Sequence, residues 1–258
     1  MAFLPVLWAC DTQGSGKKYL KESVGAINTL SLVMDNDLWS SEVGDEVRRY
    51  FAAPVDGLPW EEPLFSIRQI PLEVFDGIAR TSRNILVIEN DSAAFEIRDD
   101  VYARPQKIAY IKAKDVQTLI KIIRENAAEM IAAYKQNEIK EKQRRIKLAP
   151  NRDPDLKEKL GISLTMPTVY KLVKQEDRFF WIERQIPKGT TNIVVYELPL
   201  DAIPEDAGRV EAIIKMRDSI GQKYIPGREE GMYMITEKAY APYVFDAEIA
   251  GREAIETR

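Results

Sequence analysis

The feature that most constrains the fold is the run NILVIE at residues 84–89, which is apolar at positions facing both sides of an extended chain. A strand covered on one face alternates apolar and polar side chains, whereas a run that is apolar on both faces is typical of a central strand with a layer on each side. This segment therefore predicts a buried sheet and helices that cover it.

The strongest of these helices is predicted over residues 114–136, and its apolar side chains recur at helical spacing. The stripe consists of Val116, Leu119, Ile120, Ile123, Ala127, Met130, Ile131 and Tyr134. A shorter helix over 41–52 repeats the pattern with Val43, Val47, Tyr50 and Phe51. Further strands are predicted over 26–34, 64–70, 94–98 and 106–112. This order of elements predicts a mixed sheet with helices packed against it.

The second half of the chain is rich in predicted strands, with one long helix over 206–220 that carries Val210, Ile213, Ile214, Arg217 and Ile220 on one face. The strands are predicted over 161–166, 169–174, 178–186, 192–198, 232–238, 243–249 and 252–258. The segment PKGTT supplies the turn before the strand at 192–198. We therefore predict an α+β fold of two α/β parts, in which a mixed sheet with packed helices is followed by a mainly antiparallel sheet with one long helix.

The boundary between the two parts is predicted within residues 135–152, where seven Lys and Arg accompany two Glu. We interpret this stretch as a solvated helical extension that runs into APNRDPD, with an anionic partner as the alternative. The predicted domains are a signal remnant and tether at 1–18, an N-terminal α+β domain at 19–148 and a C-terminal antiparallel α+β domain at 149–258. Because the last predicted strand reaches the final residue, we expect further C-terminal sequence.

Composition narrows the chemistry that the protein can use. The 258 residues include no histidine and one cysteine, and the net charge is −4. Histidine-dependent catalysis, histidine metal sites, Cys-rich zinc sites and intrachain disulfides are therefore excluded. We predict no cofactor and no bound metal. The acidic balance gives no reason to expect nucleic acid as a partner.

The single cysteine, Cys10, lies where an apolar run gives way to the polar segment DTQGSGKK. The sequence Leu7-Trp8-Ala9-Cys10 resembles a lipobox, with an aliphatic residue three places before the cysteine and a small residue directly before it. We therefore predict that Cys10 is a lipidation site that anchors the protein to a bacterial membrane. Two alternatives are a phosphate loop, which GSGKK matches poorly, and a ragged terminus whose cysteine is buried by chance.

Five segments support a wider resemblance: MDNDLWSSEVGDEVR, SRNILVIEN, DDVYARPQKI, EKLGISLTMPTVYKLVKQEDRFFWIER and KYIPGREEGMYMITEKAY. From about residue 24 to the end, the chain resembles a family of bacterial envelope lipoproteins known as a domain of unknown function. The resemblance implies a lipid-anchored envelope protein of two α/β parts, in a periplasmic or surface-facing position. It implies no activity.

Several polar positions are candidates for binding. The loop YIPGREEGMYM at 224–234 displays charges between aromatic residues, which suits contact with a partner, so Arg228, Glu229 and Tyr233 are predicted to bind one. Arg83 and Arg104 lie at element ends and are predicted to bind a small anion if they meet. Asp35-Asn36-Asp37 departs from the EF-hand pattern and is interpreted as a turn with Asp37 as a helix cap.

Two functions remain open from the sequence. The first is a non-enzymatic binding or structural module, anchored through Cys10, that binds another envelope component such as a protein. The second is a hydrolase or transferase that uses carboxylates in a site between the two halves. A deep polar cleft with convergent carboxylates of shifted pKa favours the enzyme, and a shallow apolar or aromatic surface favours the binding module.

Overall fold

A computed structural model describes residues 19–58, 60–151, 155–205 and 207–258. Contacts within the chain divide it into two units. The first unit contains the described residues up to Gly44 together with Ile67–Tyr134, and the second contains Asp45–Ser66 and Lys135–Arg258. Among the described residues, no helix combines the length and the apolar character that a membrane span requires. The predicted domain limits at 19–148 and 149–258 stay a prediction.

The first part of the chain alternates strands and helices as the sequence predicts. In chain order the elements are β1 (Lys21–Glu22), β2 (Thr29–Val33), α1 (Asn36–Trp39), α2 (Glu42–Phe51), β3 (Ser66–Ile70), β4 (Asn84–Glu89), β5 (Ala94–Asp99), β6 (Ala103–Arg104), β7 (Lys107–Lys112) and α3 (Val116–Leu148). Two short 3₁₀ helices, Leu72–Val74 and Ala79–Thr81, lie between β3 and β4. The predicted bounds of β4 match the structure at both ends.

Five of these strands form one mixed sheet in the order β3-β2-β4-β7-β5. Strands β2, β4 and β7 are parallel, and β5 is antiparallel to β7 at the edge. In the register, Leu86 of β4 lies beside Leu32 of β2 and Ala109 of β7. A mixed sheet is what the sequence predicts, and β4 occupies its centre.

Both faces of the central strand are buried, as its apolar pattern requires. Residues 84–88 have exposed fractions of 2% or less, and Val33, Ile85, Val87 and Ile108 form one core cluster. The predicted stripe of α3 is buried at Leu119, Ile123, Ala127, Met130 and Tyr134. The Tyr134 hydroxyl donates a 2.7 Å hydrogen bond to the carbonyl oxygen of Ile85, so helix and sheet are joined by a polar contact inside the core.

The rest of the chain adds α4 (Asp155–Leu160), β8 (Lys171–Glu176), β9 (Phe179–Ile186), β10 (Gly189–Tyr196), α5 (Arg209–Tyr224), β11 (Val244–Ile249) and β12 (Arg252–Thr257). Strands β10, β9 and β8 form an antiparallel sheet, and β11 pairs with β12 in an antiparallel hairpin. The second part is therefore mainly antiparallel with one long helix, and the predicted α+β class is confirmed.

Strand β9 is central here because alternate side chains enter two different clusters. Phe180 and Ile182 pack with Leu156 and Met166. Phe179 packs with Tyr224 and Ile225, and its ring stacks on that of Tyr224 with 4.1 Å between centroids. A strand buried on both faces again marks the middle of its sheet.

Three predictions for the second part are wrong. Residues 161–166 and 232–238 are not strands, although residues within each make single hydrogen-bonded contacts with other segments. The basic stretch from 135 continues α3 as a helix to Leu148, but it is not solvated throughout, since Asn137, Glu138 and Glu141 are buried.

Candidate functional site

A cleft of about 420 Å³ lies in the first unit where the three parallel strands end. We call it the strand-end cleft. Its lining comes from the residues that follow β2, β4 and β7: Asp35 to Leu38, Asn90, Ala113 to Val116 and Leu119, together with Glu73. The carboxyl ends of parallel strands are where open α/β sheets form binding crevices. The position alone makes this cleft a candidate.

The side chains of the strand-end cleft do not form a tuned acid and base. Asp37, Glu73, Asn90, Lys114 and Asp115 are all exposed. The pKa of Asp115 is lowered from its ordinary value. The backbone N–H of Thr118 donates a 2.9 Å hydrogen bond to its carboxylate at the start of α3, and this bond lowers the pKa. That carboxylate is a helix cap, and the described residues hold no cluster of three acids, Cys or His with metal-binding geometry.

The helix cap at α1 differs from the prediction. Asp35, not Asp37, occupies the capping position, and its side chain makes no capping hydrogen bond. Asp37 lies in the first helical turn. The amide oxygen of Asn36 accepts a 3.0 Å hydrogen bond from Gln69, so this residue fixes the turn after β2 to strand β3.

A larger and more apolar cavity of about 570 Å³ lies in the second unit. We call it the tyrosine groove. One wall is a face of α5 that carries Ile213, Ile214 and Arg217 at helical spacing. The opposite wall is formed by the segment 236–243. The rest of the lining consists of Gly57, Leu58, Thr257 and Arg258. Tyr240 and Tyr243, which give the groove its name, are 54% and 55% exposed.

Close backbone packing holds the walls of the tyrosine groove together. Tyr243 and Arg258 exchange two backbone hydrogen bonds of 2.9 and 3.1 Å, which extend the β11–β12 hairpin to the groove. Gly57 lies against them with φ of +80°, and a Cβ at this position would be 2.7 Å from the Cβ of Arg258. The guanidinium of Arg258 also donates to the carbonyl oxygen of Asp56 at 3.1 Å. Three separate chain segments thus meet at one end of the groove.

A second cavity of about 340 Å³ shares Ile214, Tyr240 and Pro242 with the tyrosine groove and adds Val210 and Lys238. The apolar lining therefore continues along α5 for two turns, from Arg217 back to Val210. A surface of this size and composition falls in the range of small-molecule pockets, which are mostly apolar with a few polar groups.

The acidic and the basic side chains around the groove differ in whether they have hydrogen-bond partners. The carboxylate of Asp218 accepts a 2.7 Å hydrogen bond from the backbone N–H of Thr236, which lowers its pKa. Glu237 accepts from the backbone N–H of Ala239 at 2.9 Å. By contrast, Arg217 and Lys238 make no hydrogen bond or ion pair with any residue that the structure describes. The acids are engaged by the protein itself, and two cations are available.

The loop predicted to bind a partner follows α5 directly. It folds back on itself, because the N–H of Gly227 donates to the oxygen of Met232 at 2.7 Å and that of Met234 donates to the oxygen of Ile225 at 3.1 Å. Arg228, Glu229 and Tyr233 are exposed. Their exposure fits the interpretation as a contact surface, while their role as partner-binding residues stays a prediction.

The two arginines predicted to bind an anion have different surroundings. Arg83 is 2% exposed, and its guanidinium donates to the carbonyl oxygens of Gly25 and Ala26 at 3.2 and 2.8 Å. Arg104 is exposed and pairs with the carboxylate of Asp100 at 2.6 Å. Both side chains therefore hold neighbouring loops in place, and an anion site formed by them stays a prediction.

Cys10, the predicted lipidation site, lies outside the described residues. The tyrosine groove is not predicted from the sequence, because the two ends of the segment 236–243 fall within the predicted strands 232–238 and 243–249. A signal for it is present in TEKAYAPY, where two tyrosines flank Ala-Pro. A proline disfavours a continuous strand, and paired exposed aromatics are typical of contact surfaces.

Comparison with known families divides the chain at one position. Residues 23–147 match the family model described as Domain of unknown function (DUF8532), and residues 149–258 match that described as Domain of unknown function (DUF4837). The predicted resemblance to a domain of unknown function is confirmed. Neither the curated proteins nor the solved structures include a match.

Proposed function

We propose that this chain, which carries two domains of unknown function, is a binding module of the bacterial cell envelope that takes up an apolar ligand in the tyrosine groove. The observation that supports this most directly is the groove itself, a 570 Å³ cavity walled by α5 and two exposed tyrosines. Exposed apolar surface that persists in a folded domain is typical of interaction sites.

The alternative, a carboxylate-dependent hydrolase or transferase, has less support. Catalytic acids and bases are recognised by a converging pair of titratable groups with perturbed pKa values. In the strand-end cleft Asp37, Glu73 and Asp115 are exposed, and the lowered pKa of Asp115 is explained by helix capping. The cleft therefore favours a structural interpretation of its polar residues.

Filling the tyrosine groove is expected to abolish binding of a neutral apolar probe. Ala241 lines both cavities and is exposed, so Ala241→Trp places an indole in the groove without disturbing the core. We expect the fluorescence of N-phenyl-1-naphthylamine to rise on titration with the wild-type protein and not with this variant. The thermal unfolding temperature should stay the same.

The matched control is Ile249→Trp, since Ile249 is 70% exposed in the same unit and does not line the groove. This variant should bind the probe as wild type does. Equal probe binding by Ala241→Trp and wild type would contradict the assignment of the groove, and a loss with Ile249→Trp as well would show that any bulky substitution prevents binding.

We also propose that the module is tethered to the membrane by a lipid on Cys10. The pattern Leu7-Trp8-Ala9-Cys10 and the polar segment after it support this. Cells grown with labelled palmitate should incorporate label into the wild-type protein and not into Cys10→Ser. Wild type should partition into a detergent phase, while the variant stays in the aqueous phase. Equal label and equal partitioning for both would contradict the anchor.

A further inference from the structure

We infer that the ligand of the tyrosine groove is a long-chain carboxylate, a single acyl chain whose carboxylate is bound by Arg217. This inference rests on the proposed function, because it names the ligand class of the same groove.

The walls favour an unbranched apolar chain. Ile213, Ile214 and Val210 present aliphatic side chains from successive turns of α5, and Tyr240 and Pro242 face them from the opposite segment. The two connected cavities extend the apolar path along the helix. An acyl chain can occupy such a path in many rotamers, and each methylene that it buries there stabilises the complex further.

The available charge lies at one end of this path. Arg217 follows Ile213 and Ile214 by one turn on the same face of α5, and it lines a further small cavity together with Asn192 and Tyr196. Its guanidinium makes no hydrogen bond or ion pair with a described residue. A planar guanidinium binds a carboxylate through two parallel hydrogen bonds, so an anionic head group is the natural complement.

The number of charges favours a carboxylate over a phosphate head group. Arg258 also lines the groove, but its guanidinium is engaged by the carboxylate of Glu256 at 2.7 Å. The negative side chains Asp218 and Glu237 lie close by and each accepts a backbone hydrogen bond. The charges of Arg217 and Lys238 also act on Asp218, but neither forms an ion pair with it. Lys238 lines only the adjoining cavity, so Arg217 is the one cation of the tyrosine groove itself that forms no ion pair with a described residue. A single such cation among these acids matches a monoanion, whereas a dianion would meet like charges.

The experiment measures displacement of N-phenyl-1-naphthylamine from the full chain by hexadecanoate, hexadecanol and hexadecyl phosphate. Each compound is used below its solubility limit and below any micellar concentration. We expect hexadecanoate to displace the probe. Hexadecanol should bind at least roughly tenfold more weakly, because it lacks the charge. Arg217→Gln should weaken hexadecanoate by a similar factor and leave hexadecanol unchanged. Lys215→Gln is the matched control, since Lys215 lies on the same helix and pairs with Glu211 outside the groove.

Each other outcome overturns the inference. Equal displacement by hexadecanoate and hexadecanol would show that the anion is not recognised. Tighter binding of hexadecyl phosphate than of hexadecanoate would assign a phosphate head group instead. Displacement by an apolar peptide but not by any of the three compounds would assign a protein partner. Absence of probe binding by wild type would contradict the proposed function as well, and this separates the two failures.

Discussion

Gly221→Ala is expected to lower the free energy of unfolding by about 2 kcal/mol and to abolish probe binding in the tyrosine groove. Gly221 lies in α5 with its Cα close to the next segment, and a Cβ there would be 2.0 Å from the carbonyl oxygen of Met234. Because this contact is with backbone, the segment must move away from the helix. The cost of such overpacking, typically about 1–3 kcal/mol or more, exceeds the gain of roughly 1 kcal/mol in helix propensity.

The loss of binding follows from the position of that segment. Met234 is held to Ile225 by a backbone hydrogen bond of 3.1 Å, and the chain continues from it into the wall at 236–243. Ser219→Ala is the control, since Ser219 is exposed on the same helix and its hydroxyl bonds only the Met216 carbonyl oxygen. It should change stability by less than 1 kcal/mol. A Gly221→Ala protein as stable as wild type would mean that α5 and this segment separate easily.

The first sheet could be predicted from sequence because burial and secondary structure agree there. NILVIE is apolar on both faces and lies at the centre of the sheet, and the stripe from Leu119 to Tyr134 is buried along α3. Where a segment's pattern has only one way to be buried, sequence alone predicts both its structure and its place. The order of the strands could not be predicted, since it depends on which partners each strand finds in space.

The two wrong strands in the second part show patterns that strands also show. Residues 161–166 alternate apolar and polar or small side chains, and residues 232–235 are all apolar. In 232–238 the backbone groups are nevertheless bound singly. The N–H of Met234 donates to Ile225, and that of Thr236 donates to the side chain of Asp218. Such a pattern does not show whether a neighbouring strand is present to form a ladder. Here the backbone of Met234 lies against Gly221 of α5 instead of beside a strand.

The prediction that the basic stretch from residue 135 is solvated is wrong for a different reason. The excess of positive charge predicts a solvated helix. The stretch is helical to Leu148, but the side chain of Glu141 is only 1% exposed. A carboxylate is tolerated there because Arg144 and Arg145, three and four residues further along, bind it from the solvent side. Net charge along a sequence does not reveal which member of such a cluster faces inward.

Glu141→Gln is expected to remove a large part of the acid sensitivity of folding. Arg144 donates to Oε2 of Glu141 at 2.7 Å and Arg145 donates to Oε1 at 2.6 Å. The hydrogen bond from Arg144 is the largest cause that lowers the pKa of Glu141 to about 2, against burial, which raises it. Since the ordinary value is 4.5, the ionised carboxylate contributes on the order of 3 kcal/mol to stability at neutral pH.

The direction of the pH effect follows from this lowered pKa. The contribution is complete above about pH 5 and is lost as the pH falls from there towards 2, because the unfolded chain takes up the proton first. The free energy of urea unfolding should therefore differ less between pH 7 and pH 3 for Glu141→Gln than for wild type, and at pH 7 the variant should be less stable.

Glu125→Gln is the control on the same helix, since Glu125 is 58% exposed and lies 3.9 Å from Lys121. An exposed pair at that distance contributes less than about 1 kcal/mol, so this variant should keep the acid sensitivity of wild type. If Glu141→Gln kept it too, the side chain of Glu141 would have to be solvated in the folded protein and its two arginine contacts without energetic consequence.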